Sequence, residues 1–326
     1  MAATDAPQPP PLTWHEDVLG PEFEARALRL PGRAEATLVR HVPSTGTPPA
    51  RTAVLYLHGF VDYFFHPHVA RALADAGYAF YALDTRGHGR SLEAHTQAGF
   101  DPNLVPDLAL YAQDLDAAAG VLRAAGHERL VVMGHSTGGL VAALWAQGRP
   151  GRADALVLNS PWFELNESWL KRGPATWAID AVGRFAPRLV VGGLHPHYGK
   201  ALHIGTGGEW DFDLTWKPHE GFLVRAGWFR AVRRAHHQVA RGLGLQIPVL
   251  VLASARTGPH TRDHPELLTT DSVLDATQIR RRAQRLGDDV RFLAIDGGAH
   301  DLALSPAPAR KLYLDTVVDW LGTRLP

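Results

Sequence analysis

The sequence predicts an α/β protein with a doubly wound, mostly parallel sheet and an inserted, mainly helical lid. Apolar runs of strand length alternate with longer segments whose apolar residues recur three or four positions apart, which is the helical period. Strands that alternate with helices pair in parallel through right-handed crossovers, and the helices cover both faces of the sheet. The alternation stops once, between residues 160 and 246, and this break predicts the insertion.

The first 50 residues come before the regular alternation and hold nine of the 24 prolines. Residues 1–11 are polar and lack the basic start and apolar run of a signal peptide. We therefore expect a flexible leader on a cytoplasmic protein. The alternating run Ala36–Val42 predicts an edge or hairpin strand.

The regular core begins at Val54–Leu57, a continuous apolar run typical of a strand buried on both faces. Similar runs follow at Tyr78–Leu83, Leu130–Met133, Leu156–Leu158, Val249–Leu252 and Val290–Ile295. The helical period covers His68–Ala76, Leu108–Ala125, Leu140–Gln147, Val273–Leu286 and Leu312–Leu321. Ligands of such sheets bind at the carboxyl ends of the strands, so we expect the functional site there.

Residues 163–245 form the predicted lid, and residues 1–162 and 246–326 form the core that it interrupts. The stretch between Asn159 and Ile247 shows no clear strand and holds six of the nine tryptophans: Trp162, Trp169, Trp177, Trp210, Trp216 and Trp228. Aromatic rings in this number can line a pocket or form a small core of the lid itself.

The composition excludes several kinds of chemistry. The 326 residues include no cysteine, which rules out disulfides, thiolate metal sites and thiol nucleophiles. Equal numbers of basic and acidic residues, 33 of each, give no general attraction to nucleic acid. No apolar stretch approaches the ~20 residues that cross a bilayer. We expect neither a nucleic-acid partner nor a membrane span.

The sharpest local feature is Gly134-His135-Ser136-Thr137-Gly138, which joins a buried strand to a helical pattern. A G-x-S-x-G sequence in this context predicts a nucleophile elbow, with glycines where side chains would collide. We expect Ser136, one of eight serines, to project above the sheet at a helix N-terminus.

A serine hydroxyl needs a base, and in this arrangement the chain order is serine, acid, histidine. His300 comes directly after the last predicted strand and is the candidate base. The acid lies between them, and Asp263, Asp271 and Asp275 are all candidates. Asp271 fits best because it stands just before the next helical pattern, whereas Asp275 suits the first turn of that helix.

The oxyanion hole needs a backbone N–H from the loop after the first buried strand and another from the residue after the nucleophile. Phe60 and Thr137 supply them, and His58 is expected to brace the loop. His135, Trp162 and Phe163 are candidate substrate contacts.

Two histidine pairs, His66 with His68 and His195 with His197, have spacings that a metal could use. Neither pair has an acidic third ligand nearby in the same element, so we expect solvated loop histidines and no metal.

Several of these motifs together resemble the α/β-hydrolase family, and within it the monoacylglycerol-lipase-like branch grouped with serine aminopeptidases (S33). They are Leu57-His58-Gly59-Phe60, residues 84–91 (DTRGHGRS), the elbow, Ser160-Pro161, Asp271 and His300. The resemblance covers residues 50–162 and 246–326. It implies an eight-stranded, mostly parallel sheet, a Ser-Asp-His triad, no cofactor and a cap over the site.

The expected activity is hydrolysis of a small, hydrophobic carboxylic ester through an acyl-enzyme, by a carboxylesterase or monoacylglycerol-lipase-like enzyme. One alternative is an aminopeptidase that uses the same triad. It would need a lid carboxylate for the substrate ammonium, and the candidates are Glu164, Glu167, Glu209, Asp211, Asp213 and Glu220. A second alternative is a binding protein that has the fold without catalysis.

Overall fold

A computed structural model describes residues 13–43, 49–166 and 182–325. Within these ranges the strands are β1 (His15–Asp17), β2 (Gly20–Arg29), β3 (Glu35–His41), β4 (Thr52–Leu57), β5 (Ala79–Asp84), β6 (Arg129–His135), β7 (Ala155–Asn159), β8 (Val190–Gly192), β9 (Val224–Arg225), β10 (Val249–Ser254) and β11 (Val290–Ile295). All of them except β8 and β9 join one nine-stranded sheet.

The sheet has the order β1-β2-β3-β5-β4-β6-β7-β10-β11. The neighbours β1-β2, β2-β3 and β3-β5 pair antiparallel, and all later neighbours in this order pair parallel. Every residue of β4, β7 and β10 is buried, which explains their continuous apolar sequences. The family resemblance implies eight strands, and the ninth is the three-residue edge strand β1.

The helices in the described ranges are α1 (Pro67–Asp75), α2 (Leu92–Gln97), α3 (Ala109–Ala124), α4 (Thr137–Gly148), α5 (His197–Leu202), α6 (Ala226–Arg241), α7 (Ala276–Ala283) and α8 (Ala307–Arg324). Apolar residues of α3, α4, α6 and α7 pack on one face of the sheet, and those of α1 and α8 pack on the other. The sheet is therefore doubly wound, as predicted. Among the described residues, no helix combines the length and apolar character needed to span a membrane.

The inserted segment, residues 163–245, adds no strand to the main sheet within its described part. It does contain β8 and β9, which pair antiparallel and which sequence analysis missed because they span only three and two residues. Its helix α6 packs into the main core through Trp228, Val232 and Val239. Predicted lid residues Trp169 and Trp177 lie outside the described residues.

Candidate active site

Three loops at the carboxyl edge of the sheet bring the candidate catalytic side chains together. Ser136 follows β6, Asp271 lies in the connection after β10, and His300 follows β11. These strands lie close together because β7 alone separates β6 from the pair β10-β11. Parallel strands end at the same edge, so residues far apart in the chain meet there.

The backbone at Ser136 has the geometry of a nucleophile elbow. Its φ is 52° and its ψ is −116°, a conformation that residues other than glycine rarely adopt. A Cβ at Gly134 would lie 2.6 Å from the Gly138 carbonyl oxygen. A Cβ at Gly138 would lie 2.3 Å from the carbonyl oxygen of His58. Glycine is therefore required at both positions for strand, turn and helix to pack this closely.

Ser136, His300 and Asp271 form a continuous line of hydrogen bonds. His300 Nε2 lies 3.1 Å from Ser136 Oγ, and His300 Nδ1 lies 3.0 Å from Asp271 Oδ1. Because a carboxylate only accepts, Nδ1 carries the proton and Nε2 accepts from the serine hydroxyl. Asp271 is fully buried, and its Oδ1 also accepts the backbone N–H groups of Val273 and Leu274. The carboxylate is thus fixed in both position and orientation.

The structure also separates Asp271 from the other candidate acids. Asp275 is the N-cap of α7, where its side chain accepts from the backbone of Thr277 and Gln278. Asp263 is exposed on the loop that joins β10 to α7, residues 255–275. That loop is closed at its base, since Gly258 N donates to Asp271 O at 2.8 Å and Asp271 N to Arg256 O at 2.9 Å. These two bonds hold Asp271 beside residues 256–258, close to the end of β10, although the intervening loop is long.

The loop after β4 packs directly against the elbow. Within the described part of the chain, the N–H groups of Phe60 and Thr137 form no hydrogen bond and remain available to an oxyanion. His58 braces the loop: its Nδ1 donates to Gly59 O at 2.7 Å, and its Nε2 accepts from Thr85 N at 3.1 Å. Burial lowers the pKa of His58, consistent with a neutral ring that both donates and accepts.

Aromatic rings form one wall beside the loop after β4, which we call the candidate oxyanion loop. Phe60 stacks on Trp228 with centroids 4.3 Å apart, and both line a narrow pocket with Val141. Trp162 is half-buried and packs against Trp228 at 5.9 Å. That pocket also borders Thr137, the residue after Ser136, and Ser136 itself is 7% exposed.

Other predicted residues lie elsewhere. Phe163 is completely buried in the main core. The His135 ring is also buried, near the carboxylates of Asp62 and Asp301. The prediction of a solvated His66 is wrong: the ring is fully buried, because it packs between aromatic rings beside Asp301. Sequence reasoning missed the two carboxylates, whose only signal is their position directly beside predicted site residues.

Comparison with known proteins gives a consistent picture. A model of the family described as serine aminopeptidase, S33, matches residues 48–307. A monoacylglycerol lipase of Mycolicibacterium smegmatis is 29% identical over 303 residues, covering 88% of this chain and 94% of the relative.

Two solved structures share the fold. A Paleococcus ferrophilus monoacylglycerol lipase has a TM-score of 0.63 and 19% identity, covering 85% of this chain and 96% of that one. A soluble variant of the Saccharomyces cerevisiae monoglyceride lipase, in complex with a substrate analogue, has a TM-score of 0.65 and 16% identity. That alignment covers 98% of this chain and 99% of the yeast chain.

Proposed function

The chain belongs to the serine aminopeptidase, S33, family, and from this premise we propose that it hydrolyses carboxylic esters through an acyl-enzyme on Ser136. The observation that carries the proposal is the hydrogen-bonded line from Asp271 through His300 to Ser136 Oγ. A base at 3.1 Å from a hydroxyl on a helix N-terminus is the arrangement that activates a serine.

The reaction uses each group in turn. Ser136 Oγ attacks the ester carbonyl while His300 Nε2 takes its proton, and the N–H groups of Phe60 and Thr137 donate to the oxyanion. Collapse of this intermediate expels the alcohol, which receives the proton from His300. Water then gives a proton to His300 and attacks the acyl group. As the acid leaves, Ser136 Oγ takes this proton from His300. Asp271 holds the imidazole in the required tautomer and offsets its transient charge.

The proposed substrate is a monoacylglycerol or a similar ester with a hydrophobic acyl chain. The relative named monoacylglycerol lipase aligns over nearly its whole length, and Phe60, Trp162 and Trp228 give this site an apolar wall. The inserted segment supplies Trp228, so we propose that it acts as the lid. A series of p-nitrophenyl esters from acetyl to palmitoyl would measure the depth of the acyl site.

The proposal is tested by replacing the nucleophile. We expect Ser136→Ala to lower kcat on p-nitrophenyl esters more than about 1,000-fold, because no other group can form the acyl-enzyme. A fluorophosphonate probe should label wild-type protein at Ser136 and leave the variant unlabelled. Turnover by the variant within a few-fold of wild type would refute the proposal.

An aminopeptidase activity is the second candidate, since the family description names it. Such an enzyme needs an unpaired carboxylate for the substrate ammonium, but Glu164 is bound by Arg233 and Arg282, and Glu209 by Arg310. Of the remaining candidates, Asp211 and Glu220 are exposed, Asp213 accepts from Thr215, and Glu167 lies outside the described residues. A panel of aminoacyl anilides run beside the esters separates the two activities.

A further inference from the structure

Three loops of the candidate active site each send a second side chain into one buried cluster. Asp62 lies two positions after the oxyanion residue, His135 directly precedes the nucleophile, and Asp301 directly follows the general base. Their exposed fractions are 1%, 5% and 1%. The fourth member, Lys217, comes from the inserted segment, and its side chain is 15% exposed. We call these four residues the charge cluster.

His135 lies between the two carboxylates. Its Nδ1 is 3.5 Å from Asp62 Oδ2 and 3.7 Å from Asp301 Oδ2. The other oxygen of each carboxylate has its own donor: Lys217 Nζ lies 2.6 Å from Asp62 Oδ1, and Asn159 Nδ2 lies 2.7 Å from Asp301 Oδ1. Further titratable groups face the cluster. His66 Nε2 lies 3.4 Å from Asp301 Oδ2, the Tyr198 hydroxyl accepts from Asp301 N, and the His300 ring centroid is 5.0 Å from that of His135. The buried groups Tyr56, Tyr313 and His58 interact electrostatically with Asp62 or Asp301.

One further cation balances the charges of this cluster. Of the two histidines beside the carboxylates, His135 is the candidate because its Nδ1 faces both Asp62 and Asp301, whereas His66 Nε2 faces only Asp301. Two buried carboxylates and one ammonium leave a single negative charge, and a second cation is needed because uncompensated buried charge is costly. Resting on the proposed function, we propose that His135 is a buried imidazolium that holds the oxyanion loop, the nucleophile elbow and the histidine loop in their relative positions. It is a positioning residue, because its Nδ1 faces the two carboxylates and, among the described residues, no hydrogen bond joins its ring to Ser136 or His300.

A divalent metal is the other cation that could join these side chains. The ligand atoms of Asp62, His135 and Asp301 lie within 4.8 Å of one another, close enough to share an ion. With Lys217 in place and His135 neutral, however, a divalent ion would leave the cluster with a net positive charge. Protonation of His135 brings the sum to zero, so we favour the imidazolium.

The proposal implies a dependence on pH. Burial favours the neutral ring, but the charges of Asp301 and Asp62 raise the pKa of His135 above its ordinary value of 6.5. As pH rises through that raised pKa, the cluster loses its positive charge and the two carboxylates repel each other. We therefore expect kcat to fall at alkaline pH, because small displacements of the three loops are costly to the rate.

The ionisation state can be measured without any substrate. In wild-type protein labelled with ¹⁵N-histidine and titrated with base, we expect one imidazolium signal to persist after the ordinary histidines have become neutral. His135→Gln should remove this signal and His66→Gln should keep it. The proposal is overturned if no signal persists, if His66→Gln removes it, or if the purified protein holds one equivalent of a divalent metal that Asp62→Asn releases.

Kinetics test the positioning role. We expect His135→Gln to lower kcat by about 10- to 100-fold with KM changed less than about 3-fold, and to abolish the alkaline fall in kcat. Lys217→Met should lower kcat by about 10-fold, whereas Lys217→Arg should retain most activity because it keeps the charge. The exposed Lys311→Met is the matched control and should behave as wild type.

The two proposals fail separately. If wild-type protein shows the imidazolium signal but hydrolyses no ester, the proposed function is wrong and the charged state of His135 stands. If it hydrolyses esters and His135→Gln keeps wild-type kcat and its alkaline fall, the positioning role is wrong. If His135→Gln does not fold, the ¹⁵N signal of wild type and the kinetics of the two Lys217 variants still decide.

Discussion

The strained backbone of Ser136 is held by its neighbours. A left-handed conformation costs a residue with a side chain about 1–3 kcal/mol, so it persists only where the surroundings enforce it. Ser136 N donates to Asn159 O, and Ser136 O accepts from Leu140 N and Trp162 N. Strand β7, helix α4 and the chain after β7 thus fix the peptide groups on both sides of the nucleophile. Together these contacts hold the backbone so that Ser136 Oγ lies 3.1 Å from His300 Nε2.

Asp271 is the candidate residue whose proposed role is most directly tested by substitution. We expect Asp271→Asn to lower kcat by about 1,000-fold or more, because an amide can stabilise the wrong tautomer of His300. Asp275→Asn is the matched control, and it should leave kcat within about 3-fold since asparagine caps a helix as well as aspartate does. Steady-state kinetics on one ester would show the difference, and the reverse order would assign the acid to Asp275.

The two ends of helix α4 differ in the space that they leave for a side chain. Its first turn lies against the loop after β4, so closely that Gly138 has no space for a side chain. A methyl group added to its last residue, Gly148, would meet no other atom within 4 Å. This close approach brings the residue next to Thr137 against the backbone of Leu57 and His58.

This contrast predicts opposite effects of one substitution at the two ends of α4. Gly138→Ala should lower the free energy of unfolding by about 1–3 kcal/mol and lower kcat by about 100-fold, because the added methyl group pushes the oxyanion loop away. Gly148→Ala should change stability by less than about 1 kcal/mol and leave kcat unchanged. Urea unfolding measures the stability of each variant, and ester kinetics measure its kcat. Equal effects at both positions would contradict the role assigned to the close approach.

Segments distant in the chain are joined by a buried carboxylate. Glu164, just after β7, receives hydrogen bonds from Arg233 on α6 and Arg282 on α7. Arg233 also bonds His236, whose Nε2 lies 2.9 Å from the carbonyl oxygen of Trp162. Burial would raise the pKa of Glu164, but Arg233 and Arg282 lower it to about 2. The network therefore ties the inserted segment to the core near the elbow.

Because the pKa of Glu164 is lower in the folded protein, its contribution to stability is present above pH 4.5 and is lost as pH falls towards 2. We expect Glu164→Gln to lower the free energy of unfolding by about 2 kcal/mol at pH 7, less than for a completely buried pair. The difference between wild type and variant should shrink at acid pH. Urea unfolding at several pH values measures it, with Glu128→Gln in an exposed ion pair as a control without measurable effect. A difference independent of pH would disprove this account.

The sequence by itself determined the alternating order of strands and helices. It also predicted an insertion and identified Ser136 and His300 as the candidate pair. Periodicity reports which faces are buried, and a glycine-flanked serine between strand and helix is a local pattern. The predictions that depend on local chemistry could therefore be made without coordinates.

Only the tertiary structure decided which candidate acid contacts His300 and which groups partner the buried charges. The hydrogen bonds that close the loop before Asp271, the arginines on Glu164 and the lysine on Asp62 all come from residues far along the chain. The burial of His66 likewise depends on rings and a carboxylate that the fold brings to it. Whether a charge can be buried depends on the side chains that the fold brings next to it. These neighbours come from distant parts of the chain and leave no periodic pattern in the sequence, so the features could not be predicted from it.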